Sequence, residues 1–479
     1  MGSPENQTTG KIAKKVIRLS TQHFSEWTGG KWSQDPPAEI TEFNIDSRKV
    51  EDRQVFVAIR TGRRDGHDFV KNAKSRGAVA ALVTREDPKL EFPQLVVPNV
   101  EKALHDMALK VRIKFTGTLV AITGSCGKTS TKEFLSSLLG DGNLKTRGNL
   151  NNHLGVPLTL LRLNKEYENA VVEIGMNAPG EIAGLARISQ PDYSIITTVA
   201  PVHLQGVGSL EGVALEKAAL AAATQVLTVL PSTCFRFAPF SDLKAPCLVA
   251  GKPEPGRYYP VSCRFVDFSL DHSKNQTDIV IRPSKGRVMS FSTGRTSNGM
   301  ARNMVLCLLL CLERGMDPND LQARLNIWKP EDLRCERIQL GGLDIFLDCY
   351  NANPSSMRDS LEYFQATTPE DRPRFYVIGG MKELGEYTEG YHEELGRSFK
   401  LRSIDRLYLT GREVNGFIRG FRTAGKDEDL LKVFDDDREV VTELKDQAGS
   451  VFLKGSRAYA LENIYLQLKS LNQQIEATC

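Results

Sequence analysis

The chain has 479 residues, enough for about three domains at the usual ~100–200 residues each and for sizeable cores, which argues against one small binding module. Hydrophobic residues make up 41% and charged residues 25%, excluding a disordered or fibrous chain. The 62 Lys and Arg against 59 Asp and Glu leave a net charge of +3, too weak for a protein dedicated to nucleic acid or a membrane surface.

The first fifteen residues are polar and then basic, without the apolar stretch of a signal peptide, and carry no assignable role. Beyond them, Gln54 to Ile59, Val79 to Val83 and Gln94 to Val97 predict short strands, with helices over Phe69 to Arg76 and Val100 to Phe115. That is a small N-terminal α/β domain, residues 1–114. The apolar run Thr118 to Thr123 stops at glycine and opens a central domain, 115–330. There Ala170 to Ile174 and Tyr193 to Val199 predict strands, Glu181 to Ile188 and Leu210 to Ala223 helices, the alternation of a mainly parallel sheet. Pro231 to Pro260 is proline-rich and Cys263 to Phe291 β-rich, predicting an irregular or antiparallel appendage. Met304 to Leu312 is the longest apolar run, about half a membrane span. Trp328-Lys329-Pro330 reads as a hinge. Strands at Asp344 to Leu347, Arg374 to Ile378, Arg406 to Leu409 and Ser450 to Leu453 then predict a C-terminal Rossmann-like α/β domain, 331–479. The nine cysteines contain no C-x-x-C pair, so neither a disulfide framework nor a zinc ribbon is indicated and a reducing cytoplasm fits.

Thr123-Gly124-Ser125-Cys126-Gly127-Lys128-Thr129-Ser130 lies between a predicted strand and a predicted helix, Lys132 to Leu139. That context suits a phosphate loop: glycines let N–H groups close around phosphates, Lys128 neutralises them, and the Thr129 hydroxyl reaches Mg²⁺. The first glycine of the strict G-x-x-x-x-G-K-[ST] pattern would fall at Ile122, so only G-x-x-G-K-T remains, which a plain glycine turn also satisfies. Arg147 to Pro157 holds Asn149, Asn151 and Asn152 beside glycines, a pattern a turn explains equally well. Glu173 ends a strand near the loop, where Mg²⁺ takes one or two carboxylates with phosphates and water, although a lone strand-end Glu is commonly solvated. His203 and Lys217 taken singly read as a structural histidine and a solvated helical lysine.

Nine segments in order resemble the Mur ligases, ATP-dependent amide-forming enzymes of peptidoglycan synthesis: DSRKV (46–50), DGHDF (65–69), TGSCGKTS (123–130), GNLNNHLGVPLTL (148–160), EIGMNAPGEIA (173–183), HLQGVGSLEGVALEK (203–217), DCYNANPSSM (348–357), GGMKELG (379–385) and KGSR (454–457). The likeness is greatest to members that add D-alanyl-D-alanine to UDP-N-acetylmuramoyl-tripeptide through an acyl phosphate. It implies a uridine-nucleotide domain, a central ATPase and a C-terminal domain closing over ATP and amine. By the same resemblance Gly124 to Ser130 and Asn303, Arg334 and Asp348 contact ATP, while Thr129, Glu173, His203 and Lys217 hold Mg²⁺, with Lys217 a candidate for carbamylation. Lys128, Thr129, Glu173, His203 and Lys217 form the catalytic set. Ser47 and Arg48 belong to the uridine pocket, Asn151, Asn152 and Asn177 to the muramoyl-peptide path, and Tyr350, Asn351 and Asn353 to the amine side.

The chain departs from the family pattern at Gly380 (usually Asp), Leu347 (acidic), Leu333 (Gly), Gly299 (His) and Thr198 (Asn). The resemblance further implies an enzyme acting on small molecules, expected as a monomer; the weak charge and the short apolar runs predict neither nucleic-acid binding nor membrane insertion, and the cysteines a cytoplasmic location. A related Mur or folylpolyglutamate-type ligase with another acceptor or amine, and an ATP-binding regulatory protein without ligase activity, remain alternatives; retention of Glu173, His203 and Lys217 argues against the latter.

Overall fold

The computed structural model describes residues 19–273, 275–330 and 333–478, with side chains to 473; the polar first fifteen residues and Cys479 lie outside the described residues. The chain forms two compact units, one comprising the chain up to Thr116 together with His153–Glu166, the other Gly117–Asn152 and Tyr167 onward.

The first unit holds a five-stranded sheet ordered Lys31–Trp32, Gln94–Val96, Ala80–Val83, Gln54–Val57 and Glu42–Asn44. All neighbours are parallel except the first pair. Asn99 caps the helix Val100–Lys114 by accepting the Lys102 N–H, and the helix buries Ala103, Leu104, Met107, Ala108 and Val111, one stripe at helical spacing. That helix packs against Gly155–Leu160, the segment returned to this unit by the later excursion of the chain. Ser47 is buried and Arg48 exposed just beyond Glu42–Asn44. The Arg48 guanidinium donates to Asp46 at 2.9 Å, and this bond is the main cause holding the Asp46 carboxyl down at about 2.

The second unit contains two sheets. The larger runs Met289–Gly294, Gln276–Pro283, Cys263–His272, Cys247–Ala250, Leu227–Pro231, Tyr193–Ile196, Thr118–Thr123, Asn169–Glu173 and Asn143–Lys145. From Cys263–His272 to Asn143–Lys145 every pairing is parallel. The inner strands are apolar runs rather than alternating ones because helices cover both faces. The expected appendage is an antiparallel continuation of this same sheet, in which Ile279, Ile281 and Phe291 face the core. The Met304 to Leu312 run lies in the core helix Asn298–Glu313, packed on Val120, Ile122 and Phe134. Among the described residues no helix is long and apolar enough to cross a membrane.

The other sheet runs Glu336–Leu340, Leu343–Leu347, Gly449–Lys454, Arg374–Gly379, Arg406–Thr410 and Leu431–Val433, antiparallel only at the first pair. Leu347 is core-facing and buried. In both sheets the loops leaving the carboxyl ends of central strands gather at one cavity. The site lies where the topology of an open parallel sheet puts it: Thr118–Thr123 is flanked by strands that follow it in the chain on either side, the order reversal that opens a crevice.

Candidate active site

The phosphate loop turns at two glycines with positive φ, where a side chain would be strained and would have to displace a neighbour. Gly127 has φ 77°, and a Cβ there would lie 2.1 Å from Asn303 Nδ2. A Cβ on Gly124 would lie 1.8 Å from Thr197 Oγ1. Both close approaches let the loop pack tightly on its neighbours. The segment after Tyr193–Ile196 braces it: Thr197 Oγ1 donates to the Cys126 carbonyl at 2.5 Å, Ser125 N–H to the Thr198 carbonyl at 2.9 Å, and Ser125 Oγ to the Ala200 carbonyl at 2.8 Å. This bracing is why the strand expected to reach Val199 ends at Ile196. The helix begins at Lys128 rather than Lys132, so Lys128, Thr129 and Ser130 lie in its first turn at its positive end.

Lys128 Nζ donates to the Gly124 carbonyl at 2.8 Å, and desolvation pushes its pKa down against the pull of Glu173. Thr129 Oγ1 donates to Glu173 Oε1 at 3.3 Å, and Asn151 Nδ2 donates to the same oxygen at 2.7 Å. Glu173 is 1% exposed, yet its Oε2 has no hydrogen-bond partner and meets only the Lys132 ammonium at 3.8 Å. A buried bare carboxylate oxygen is costly, so this atom fits a cation ligand. Among the described residues no three His, Cys, Asp or Glu side chains converge. Mg²⁺ does not require that: one carboxylate, a hydroxyl, phosphates and water make its ordinary shell. Lys217 is 1% exposed, and burial first, then the Lys128 charge, press its ammonium well below the usual lysine range.

The cavity is about 1530 Å³ and is lined by Ser125 to Ser130, Asn151, Asn152, Glu173, Asn177, His203 and Asn303 on one wall. Arg334, Asp348, Tyr350, Asn351, Asn353 and Glu383 line the other. Arg334 stacks on the Tyr350 ring at 4.2 Å. Asp348 Oδ2 accepts from Lys454 Nζ at 2.5 Å, and that buried ammonium also donates to the Asp348 and Asn351 carbonyls. Asn353 caps the helix Pro354–Thr367, and its Oδ1 also accepts from the Cys126 thiol at 3.1 Å. The Asn177 N–H donates to Glu181 at 2.6 Å. Gly124 lies behind the loop, while Ser47 and Arg48 belong to the other compact unit.

Residue-by-residue reading of the sequence did not single out Lys454, Lys132, Thr197 or Glu383. Lys454 and Glu383 sit in the KGSR and GGMKELG segments, the only signal that marked them. His203 Nδ1 lies 2.7 Å from Glu383 Oε2. Three departures acquire physical content. At Gly299 a Cβ would lie 2.6 Å from Asp359 Oδ2, whose carboxylate instead accepts the Gly299 N–H at 2.8 Å. At Gly380 it would lie 2.8 Å from Glu413 Cβ. Leu333 has φ 61°, a left-handed conformation natural to glycine.

A phosphate loop facing carboxylates and cations of a second α/β layer defines an ATP-dependent ligase. Three family models match in succession: the Mur ligase family catalytic domain over 39–112, the middle domain over 122–230 and the glutamate ligase domain over 333–457. The UDP-N-acetylmuramoyl-tripeptide--D-alanyl-D-alanine ligase of Escherichia coli is 32% identical over 446 residues, 90% of this chain and 95% of that protein. The enzyme of the same name from Synechocystis is 32% identical over 450 residues, 90% and 93% of the two chains. The crystal structure of MurF from Acinetobacter baumannii superposes with a TM-score of 0.82 at 27% identity, covering 95% of this chain and 99% of that one. MurF ligase from Thermotoga maritima in complex with ADP gives 0.74 at 27%, covering 90% and 98%. The chain belongs to the Mur ligase family.

Proposed function

We propose that the chain joins D-alanyl-D-alanine to UDP-N-acetylmuramoyl-tripeptide, converting ATP to ADP and phosphate and giving UDP-N-acetylmuramoyl-pentapeptide for peptidoglycan synthesis. One observation carries this reading: a single cavity has a phosphate loop and a buried carboxylate with one oxygen lacking a hydrogen bond on one wall and Arg334, Asp348 and Lys454 on the other. The nine-tenths coverage of named relatives supports the substrates.

A carboxylate acylates poorly, so the tripeptide carboxylate first attacks the γ-phosphorus of ATP, releasing ADP and leaving an acyl phosphate. The dipeptide amine then attacks the carbonyl carbon and expels phosphate. Both steps concentrate negative charge, and fixed donors that meet it supply most of the catalysis. Lys128 and the N–H groups of residues 126–130 hold the phosphates. Thr129, Glu173, His203 and Lys217 would hold Mg²⁺, which when bound neutralises phosphate oxygens. Lys217, buried and pressed toward its neutral amine, suits carbamylation by CO₂, which would give it an anionic head; mass analysis of the intact chain checks this. Asn303 takes the adenine, with Arg334 and Asp348 reaching ATP from the facing wall. Ser47 and Arg48 take the uridine nucleotide, Asn151, Asn152 and Asn177 the peptide, and Tyr350, Asn351 and Asn353 the amine. Residues 1–114, 115–330 and 331–479 divide these tasks in a cytoplasmic monomer.

The test is phosphate release from ATP and Mg²⁺ with UDP-N-acetylmuramoyl-tripeptide, with and without D-alanyl-D-alanine, followed by product mass. Release that needs both and yields the pentapeptide nucleotide is expected. A second reading, a related ligase with another amine, is favoured by Gly380, where the space of a side chain is taken by Glu413. Turnover only with other amines would establish it.

A further inference from the structure

His203 is the one proposed metal-binding side chain whose partner comes from the C-terminal part of the chain. It caps the short helix Leu204–Val207 with a left-handed backbone, φ 51°. Glu383 opposite it is also left-handed, φ 67°. Among the described residues only seven non-glycine positions have positive φ, and these two meet each other. Such conformations persist where surrounding structure over-determines them, and they gather at functional contacts. The side chains meet at 2.7 Å, and the Gln205 N–H donates to the Glu383 carbonyl at 3.3 Å. Two residues on, a Cβ at Gly385 would come within 3.3 Å of Gln205 Cα, so backbone approaches backbone here. A surface ion pair alone would carry little; two unusual backbones with a main-chain bond between them make a built contact.

Resting on the ligase reading above, we propose that Glu383 is a positioning residue: it accepts a hydrogen bond from the Nδ1–H of His203, fixes the ring, and leaves Nε2 free to ligate the nucleotide-bound metal only when the C-terminal domain is docked. Histidine ligands are ordinarily oriented in this way, the distal N–H given to a carboxylate that sets tautomer and ring plane. Here the orienting carboxylate belongs to a different domain from the ligand. Metal binding and docking are then linked and each must strengthen the other. Side chains 56% exposed at Glu383 and 23% at His203 leave the pair free to part when the domains separate.

The experiment uses the full chain with Mn²⁺ as probe, its affinity read by electron paramagnetic resonance in the presence of ADP. Glu383→Ala should weaken Mn²⁺ about 10- to 100-fold, the usual effect of removing an outer-shell partner. Glu383→Gln, which keeps an acceptor oxygen, should recover most of that loss. In a His203→Ala background Glu383→Ala should have no further effect. X-ray scattering with ADP and Mn²⁺ should show a larger radius of gyration for Glu383→Ala than for the parent. Unchanged Mn²⁺ affinity in a Glu383→Ala protein with the parent's circular dichroism spectrum overturns the proposal, as does full additivity with His203→Ala. Parent turnover, measured alongside, separates the two readings: product with unaltered Mn²⁺ binding in the variant sinks only this inference, whereas no product from the parent sinks the ligase assignment.

Discussion

The two walls of the cavity are made of similar charges in different states. On the phosphate-loop wall Glu173, at the end of an inner parallel strand, is 1% exposed, and Lys217, in the helix Leu210–Ala222, is equally buried. On the facing wall Glu383 and Lys382 have side chains 56% and 44% exposed, and the buried exception, Lys454, is held by Asp348 and two carbonyls. The buried groups of the first wall are held before substrate arrives, so their field and geometry are fixed when phosphate charge develops. The second is partly exposed, and under the inference above its contact with His203 forms only on docking. Fixed electrostatics and adjustable contacts are thus divided between domains rather than mixed at one surface.

Lys128→Ala strikes the fixed wall and should have the largest effect. It removes the ammonium that donates into the loop, with an expected loss of about a thousandfold in turnover, ~4 kcal/mol, and little change in melting temperature. Phosphate release beside a thermal melt checks both halves, and a large fall in stability would show that the lysine is structural. Asp348→Ala tests the exception on the other wall. It strips the carboxylate from a buried ammonium that keeps two carbonyl acceptors, so destabilisation of about 2–4 kcal/mol is expected from denaturant unfolding, with Asp348→Asn milder.

Smaller effects belong to the seam between walls. Gly299→Ala drives a Cβ to within 2.6 Å of the Asp359 carboxylate and should cost about 1–2 kcal/mol, while Asp359→Ala in the same chain should relieve much of it. Asp359→Asn should act least. Burial raises the Asp359 pKa above its ordinary 3.8, so the folded state binds the proton more tightly than the unfolded one. Stability from this group is therefore present below pH 3.8 and falls as pH rises through the folded pKa. The amide keeps an acceptor for the Gly299 N–H without that slope, so the variant should match or exceed the parent at neutral pH and lose that advantage below about pH 4. A melt series across pH showing the reverse slope would mean that Asp359 contributes through its charge.

What was legible in the sequence follows the same division. The phosphate loop and Glu173 could be placed because glycine geometry and strand ends are local properties. The contacts of the adjustable wall join distant residues. Asn353 reads as a substrate contact beside the amine, yet its oxygen is engaged by its own helix and by the Cys126 thiol, 227 residues away in the chain. Glu383 resembles any loop glutamate until His203 lies opposite it. The early helix start at Lys128 was missed because Thr129, Ser130 and Thr131 are poor helix formers, a weak preference overridden by packing of Phe134 and Leu135 in the core. The β-rich stretch was found, but its continuity with the main sheet depends on the pairing of Cys247–Ala250 with Cys263–His272, which no local pattern encodes.

The central position of Thr118–Thr123 bears on how the protein is made. Its neighbours Asn169–Glu173 and Tyr193–Ile196 are translated later, so both edges of a largely apolar strand emerge from the ribosome without partners. Roughly seventy further residues separate its end from completion of the second neighbour, about 4–15 seconds at usual synthesis rates. Through that interval the strand is a template for wrong pairing, and slow translation or overexpression should favour aggregation that begins from this segment.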